Sequence, residues 1–387
     1  MNIAYVCTEK LPSPAIKGGA IQVMIDGIAP FIARSHKLTI FSVADPLLPS
    51  EETVENIHYI RFPKMTYEAD VARALAANRF DVVHVFNRPA PLASYQTAAP
   101  HSAFVLSLHN DMFSPLKITP TEAERALMAC TRLTAVSEYI KRTVTGRYPV
   151  DPQKINVIYS GVDLDQYVPV WTEEGARIRQ SLREEHGLVD KKVILFIGRL
   201  SKTKGPHVLI HSLPSLLTRH PEAVLVMTGG KWFSDNSRNE YIDWLHQLAA
   251  PLGDHVIFTN YIPHFHIPKL LLMADVFVCS SQWHEPLARV HYEAMAAGIP
   301  VVTTNRGGNA EIVRHGQTGI VIDDYTNKQA FAEAISYMLE QKEHAERMAK
   351  TARKLVETHF QFKHVASRLE AVYAEALAIH KSQTSSL

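Results

Sequence analysis

Short apolar runs alternate along the chain with longer stretches of helical spacing. The first run, Ile3 to Val6, is closed by Thr8 and Glu9. Similar runs recur at 38–43, 82–86, 104–108 and 133–136. Their length and polar boundaries predict strands buried on both faces, as in a parallel sheet. Between them, 20–34 and 65–78 carry apolar positions at helical spacing. Strand, helix, strand, helix is the pattern of a doubly wound α/β layer structure.

The pattern then restarts. Residues 169–191 are charged and strand-free, with Glu173-Glu174 and Arg183-Glu184-Glu185. After them Lys192 to Gly198 forms another apolar run feeding a turn. Further strands are expected at 223–227, 256–259, 276–279 and 300–303, and helices at 206–219, 239–248, 267–274 and 287–298. The expected organisation is a first domain over 1–168, a linker region at 169–190 and a second domain over 191–361. The stretch 362–381 repeats Val365, Leu369, Val372, Tyr373, Ala376 and Leu377 at helical spacing, and Ser382 to Leu387 read as a frayed tail. Open α/β sheets bind ligands outside the carboxyl ends of their strands. Two such domains are therefore expected to face a cleft, with the chemistry on the loops that follow strands.

Composition narrows the function. At 387 residues the chain has room for two or three domains and a large core. Lys+Arg is 40 and Asp+Glu is 39, a formal net charge of +1. A sequence-independent nucleic-acid binder needs a surplus of cations, so that class is excluded. Cys7, Cys130 and Cys279 are widely spaced with no Cys-x-x-Cys pair, and read as three reduced, buried thiols. The first residues lack a basic start and the apolar run stops at Glu9, too short for a signal peptide. No apolar run approaches the roughly 20 residues that span a bilayer. The expectation is a soluble, cytoplasmic protein.

Four strand-end loops carry candidate chemistry. Lys17-Gly18-Gly19 precedes a helix starting near Ala20. Paired glycines admit a ligand close to the backbone, and a helix N-terminus favours an anion; a plain tight turn would use the same residues. The second loop is Gly198-Arg199-Leu200-Ser201-Lys202-Thr203-Lys204-Gly205-Pro206. Three cations there suit a diphosphate, against the plainer reading of a solvated basic loop. Neither the G-x-G-x-x-G nor the G-x-x-x-x-G-K-[ST] pattern is present.

The third loop places Glu285 and Glu293 eight positions apart. With a helix beginning near Leu287, Glu285 would lie in the loop before it and Glu293 on its second turn. Both could then face one pocket with helix amides between them. Carboxylates hold neighbouring hydroxyls well, which suits a sugar ring. The fourth is Asn305-Arg306-Gly307-Gly308-Asn309, where Asn309 is a good N-cap. His109 ends the strand at 104–108 and can bind a hydroxyl or move a proton, although most of the 20 histidines must be structural. Asp163-Leu164-Asp165 reads as a turn rather than a metal site, and His264-Phe265-His266 as loop or helix start. The helix at 20–34 lacks a Lys/Arg face and gives membrane-surface docking little support.

Together these motifs resemble a known family. Glu285-x7-Glu293 followed by Ala294-Met295-Ala296-Ala297-Gly298-Ile299-Pro300-Val301-Val302 is similar to the family-four retaining glycosyltransferases of the GT-B fold, including their spore-coat members. The likeness extends through Ser160-Gly161-Val162-Asp163, Gly198-Arg199, Lys204-Gly205, Arg306-Gly307-Gly308, Glu311 and Gly316-Gln317-Thr318-Gly319, and so covers nearly the whole chain. It implies an α/β fold of two Rossmann-like doubly wound parallel-sheet domains facing a cleft. The first would take the acceptor, the second the nucleotide-sugar donor, and the last helix would cross back to the first.

The resemblance also implies roles. Arg199 and Lys204 would bind the donor diphosphate, Glu293 the ribose hydroxyls and Glu285 the donor sugar. Amides of Leu287 and Ala288, with Gly198, would complete the phosphate cradle. His109 would touch the sugar, and Gly18 and Gly19 would line the phosphate or acceptor side. Glu285, His109, Arg199 and Lys204 would form the catalytic set. No metal and no cofactor are expected beyond the co-substrate, with a UDP-sugar as the guessed donor. Base recognition would fall near 260–263. The acceptor would be a surface or spore-coat glycan or a small molecule, and spore coat proteins are the implied protein partners.

The family commonly has Glu-Gly-Phe-Gly where this chain has Glu285-Pro286-Leu287-Ala288, and losing both glycines restricts the backbone. The family's His-Asp is here His109-Asn110-Asp111. The competing readings are a non-catalytic coat or carbohydrate-binding component of the same fold, and a nucleotide-sugar epimerase. A scaffold would need none of Arg199, Lys204, Glu285 and Glu293.

Overall fold

The computed structural model describes residues 1–231 and 237–384. Its chain divides into two units, Met1–Gly161 with Phe362–Leu387, and Val162–Gln361.

The first unit holds an eight-stranded sheet. Its strands are β1 (Asn2–Val6), β2 (Lys37–Val43), β3 (Glu51–Val54), β4 (Ile57–Phe62), β5 (Val82–Phe86), β6 (Ala103–Leu108), β7 (Arg132–Ala135) and β8 (Ile155–Val157). Their order is β3-β4-β2-β1-β5-β6-β7-β8. Every pairing is parallel except β3 with β4. That antiparallel edge departs from the all-parallel expectation. Glu51-Glu52-Thr53-Val54 is largely exposed and has no apolar run to announce it, while β4 alternates buried and half-buried positions.

The sheet is covered on one face by helix Ala20–Ala33 and by the C-terminal helix Phe362–Thr384. Ile25, Ile28 and Ile32 of the former and Val365, Leu369 and Val372 of the latter share one core with Ile3, Tyr5, Val82 and Val105. Gly27 permits the close approach, because a Cβ there would lie 2.3 Å from the Phe362 ring. A buried polar chain also joins the C-terminal helix to the strands. The Tyr373 hydroxyl donates to Tyr5 at 2.9 Å and meets His84 Nδ1 at 2.7 Å. His84 Nε2 in turn meets Ser107, which bonds Thr134 at 2.6 Å. The C-terminal helix therefore belongs to the first unit. Residues 382–384 of the expected frayed tail are helical, and 385–387 lie outside the described residues.

The second unit has a six-stranded parallel sheet. Its strands are β9 (Lys192–Ile197), β10 (Ala223–Thr228), β11 (Val256–Asn260), β12 (Val276–Cys279), β13 (Val301–Thr304) and β14 (Ile320–Ile322), in the order β11-β10-β9-β12-β13-β14. The expected linker at 169–190 is instead part of this unit. It forms helix Glu173–Glu185, capped by Thr172. Arg179 and Arg183 pin it to Asp275 at 2.5 and 2.6 Å, and Asp275 also accepts from the Val193 amide at 2.7 Å. The charges of the expected linker are partly internal ion pairs.

All three cysteines are buried and free, and burial raises each thiol's pKa above its ordinary value, that of Cys130 to about 11. Among the described residues no helix is long and apolar enough to cross a membrane. Asp163 caps the short turn Leu164–Gln166 by accepting from the Asp165 amide at 3.2 Å, and His264–His266 is a single helical turn.

Candidate functional site

In the second unit the chain runs outward from β9 through β10 to β11, then crosses back to β12 on the other side of β9. The carboxyl ends of β9 and β12 thus flank the switch point, where α/β sheets take ligands. The loop after β9 runs through Gly198 and Arg199 into the turn Lys202–Lys204, then Gly205 and helix Pro206–Leu217. Gly205 has φ +70°, and a Cβ there would lie 2.1 Å from the Ser280 carbonyl oxygen just past β12. The two loops are sewn together at that contact. Ser280 Oγ donates to the carbonyls of Lys204 and Gly205 at 3.0 and 3.1 Å, and the Gln282 amide donates to Thr203 at 2.8 Å.

This seam delivers Lys204 to Glu285. Their side chains form an ion pair, and Ser281 Oγ donates to the same carboxylate at 3.0 Å. Glu285 is only 3% exposed. Burial works to raise its pKa, but the charge and hydrogen bond of Lys204 outweigh it and hold the carboxyl below the ordinary range. Arg199 is half-buried. Burial depresses its pKa while the Glu285 charge opposes that shift, so Arg199 shares the same field. The Lys204 ammonium also lies 5.9 Å from the Trp283 ring centroid.

The backbone of Glu285 is held from β13. The Gly308 amide donates to the Glu285 carbonyl at 2.8 Å. Gly307, at φ +64°, passes so close that a Cβ would lie 1.8 Å from that oxygen. Asn309 was expected to cap a helix; the cap is Gly308, and the helix is the single turn Asn309–Ile312. Asn309 is fully buried and its Oδ1 accepts from the Ala288 amide at 3.5 Å.

The helix after Glu285 begins at Val290, not near Leu287. Leu287 and Ala288 remain loop residues, each 8% exposed, because the Glu285 carbonyl and the Ala288 amide are tied to the Gly307–Asn309 turn. Glu293 is therefore on the first turn. Its carboxylate lies 3.7 Å from Arg289 with the side chain 16% exposed, and burial raises its pKa against the Arg289 charge. The two carboxylates thus have different partners, Lys204 for Glu285 and Arg289 for Glu293. On the same helix His291 is fully buried, bonded to Thr303 at 2.9 Å, and pushed by burial to a pKa of about 4, so it is neutral.

Gly198, Arg199, Lys204, Glu285, Leu287, Ala288 and Glu293 all belong to this unit. Sequence reasoning missed Gly229 beside them. At φ +146° its absent Cβ would lie 1.8 Å from the Gly198 carbonyl oxygen. The signal was there: Gly229-Gly230 directly follows a strand run, as the other candidate loops do.

Gly18, Gly19 and His109 belong to the first unit. Gly18 and Gly19 adopt φ +74° and +102°, and Gly19 precedes helix Ala20–Ala33 without a side-chain cap. His109 is half-buried after β6, its ring stacked on Phe86 at 6.0 Å. Its amide donates to Asn87 Oδ1 at 2.9 Å. Asp111 of the altered His-Asn-Asp sequence is held by both guanidinium nitrogens of Arg147, at 2.5 and 2.8 Å.

Residues 18–166 match the family model Glycosyltransferase Family 4, and residues 178–355 match Glycosyl transferases group 1. The chain is 54% identical to YtcC of Bacillus subtilis, a protein named as a glycosyltransferase, over 99% of this chain and 94% of the relative. The chain is a family-four glycosyltransferase. This transferase is also 46% identical to Bacillus subtilis spore coat protein SA, covering 96% of this chain and 99% of that one. Among solved structures, Anabaena Alr3699/HepE, crystallised with UDP, matches with a TM-score of 0.79 at 22% identity, covering 97% of this chain and all (100%) of that one. That likeness shows the GT-B fold.

Proposed function

We propose that the transferase moves a hexose-type sugar from a nucleoside diphosphate sugar to a glycan or small-molecule acceptor, with retention at the anomeric carbon. The observation that carries this reading is the Lys204–Glu285 pair beside Arg199 at the β9/β12 switch point. Arg199 and Lys204 supply the positive charge that a departing diphosphate requires, so the reading assigns that task to side chains rather than to a metal ion. Glu285 is buried, ionised and bound by two donors, which suits a fixed partner for sugar hydroxyls and not a nucleophile. Glu293 holds the ribose, and the loop after β11 meets the base.

UDP is the proposed nucleotide, supported by the UDP carried by the HepE crystals. The proposed acceptor is a surface or spore-coat glycan, supported by the likeness to spore coat protein SA, with the cytoplasm as the place of reaction. Calorimetric titration with UDP, GDP, ADP and UDP-glucose tests the donor site on wild type, Lys204→Ala and Glu293→Ala. Binding of one nucleotide, weakened by both substitutions, is expected. A folded wild type that binds none of them would overturn the reading.

A further inference from the structure

Two polar faults meet on one side chain of the second unit. Asn309 is fully buried, and its Oδ1 accepts from the Ala288 amide at 3.5 Å, beyond the usual length of such a bond. Among the described residues its Nδ2 has no hydrogen-bond partner. The bond to Ala288 fixes which way the side-chain amide faces, since only its oxygen can accept from an N–H. A buried donor left unpaired is costly, and an apolar side chain of similar size would avoid that cost.

The position is tightly held. Asn309 follows Gly307 and Gly308, and the Gly308 amide donates to the Glu285 carbonyl at 2.8 Å. A Cβ on Gly307 would lie 1.8 Å from the same oxygen. Asn309 also opens the turn Asn309–Ile312, and its carbonyl accepts from the Val313 amide at 3.2 Å. Its backbone is therefore fixed from both sides, and its side-chain torsions are the freedom that remains. The outer torsion of asparagine is broad and nearly two-fold, so the amide can turn over in the same volume and exchange its oxygen for its nitrogen.

We propose that Asn309 is a positioning residue that responds to the donor's phosphate. In the free protein its Oδ1 occupies the Ala288 amide, in the place of a phosphate oxygen. When that oxygen arrives, the side chain turns over and Nδ2 donates to it. One event then relieves both the long bond and the orphaned donor. An aspartate could only accept, and a leucine could do neither. The assignment rests on the transferase reading, in which the Ala288 amide belongs to the phosphate cradle. It deepens that reading by naming the side chain that sets this amide.

The test uses the full chain, with whichever of UDP, GDP and ADP binds it most tightly and the matching nucleoside. Wild type is compared with Asn309→Asp, which keeps the shape and the acceptor but loses the donor. Asn327→Asp is the control. It makes the same charge change in the same unit, at an exposed cap of helix Lys328–Glu340 where aspartate caps as well as asparagine. In Asn309→Asp the affinity for the diphosphate should fall about tenfold or more, with nucleoside affinity unchanged. No loss, an equal loss for the nucleoside, or the same loss in Asn327→Asp overturns the assignment. A second measurement does not depend on the variant folding. In asparagine-labelled wild type, the side-chain amide signals of Asn309 should shift with the diphosphate and not with the nucleoside, and unshifted signals overturn the assignment as well. A wild type that binds no nucleoside diphosphate brings down the donor reading itself. Binding without a response at Asn309 overturns only this inference.

Discussion

The Lys204 ammonium meets the Glu285 carboxylate across the carboxyl ends of β9 and β12, so the cation best placed for a diphosphate is neutralised before any donor arrives. On the proposed reading, a donor would share Lys204 with Glu285. Lys204→Ala should therefore do two things. It should lower turnover about 10²–10³-fold, the usual effect of removing one charge-stabilising group. It should also leave a buried carboxylate unpaired, costing on the order of 3 kcal/mol near neutral pH. The sign with pH separates this from a packing defect. In the wild type Glu285 is held below its unfolded value, so its contribution is present above that value and lost as pH falls through the folded pKa. In the variant Ser281 still donates, but without the Lys204 charge burial disfavours the ionised carboxyl with less opposition, so its penalty is relieved on acidification. Urea midpoints at about pH 5 and about pH 7.5 should show the gap between the proteins narrowing at the lower pH. An equal gap at both would mean that Glu285 is not ionised beside Lys204.

Gly307 should tolerate no side chain. Its φ of +64° disfavours any L residue, and a Cβ would lie 1.8 Å from the Glu285 carbonyl oxygen. Gly307→Ala should cost more than about 2 kcal/mol and displace Glu285, weakening donor binding with it. Gly316 is the control, with φ +72° and open space around its missing Cβ. Gly316→Ala should cost only the backbone strain, about 1 kcal/mol, and leave nucleotide affinity unchanged. Comparable losses in both variants by calorimetry would show that the Glu285 contact does not matter.

What could be read from the chain divides along physical lines. Central strands such as β5, β9 and β12 announce themselves, because burial on both faces demands an unbroken apolar run. The edge strand β3 and the short β8 carry no such run, the apolar run of β14 is only three residues long, and pairing with neighbours makes them strands. Arg199, Lys204 and Glu285 were legible as strand-end residues, and Glu293 as a residue of the helix that follows. That Lys204 pairs with Glu285, 81 positions away, was not, because their meeting depends on the Gly205–Ser280 contact between two loops. Asn309 reads as a helix cap in the sequence, but the cap is Gly308. The actual place of Asn309 under the Ala288 amide follows from the Gly307 turn, which no local pattern specifies.

The buried chain on the C-terminal helix should be stabilising as a unit. Tyr373→Phe removes the hydroxyl between His84 and Tyr5 and leaves His84 Nδ1 without that partner inside the core. The expected loss is about 1–3 kcal/mol, the cost of an unsatisfied buried group. Combining it with a His84 substitution should cost less than the two single losses added, since both break one chain. Strict additivity in a double-mutant cycle would show that the hydroxyl and the imidazole act independently.

Asp26 should make the first unit sensitive to pH in the direction opposite to Glu285. It lies on helix Ala20–Ala33 and accepts from Ser13 Oγ at 3.1 Å and from the Ala15 amide at 2.5 Å, fastening the loop that leads to Gly18 and Gly19. Burial pushes its pKa up to about 6 despite those two bonds. A carboxyl raised above its unfolded value binds protons more tightly when folded. Stability therefore rises as pH falls through about 6 toward the unfolded value, by on the order of 2–3 kcal/mol. Asp26→Asn removes the charge, keeps an acceptor for the Ala15 amide, and should flatten this trend. The difference between the urea midpoints of the wild type and of the Asp26→Asn variant, followed from about pH 7.5 to about pH 4.5, isolates Asp26 from the other carboxylates. The variant should be the more stable at the upper end, with the advantage disappearing on acidification. A variant less stable than wild type at every pH would mean that the two hydrogen bonds, and not the buried charge, dominate at Asp26.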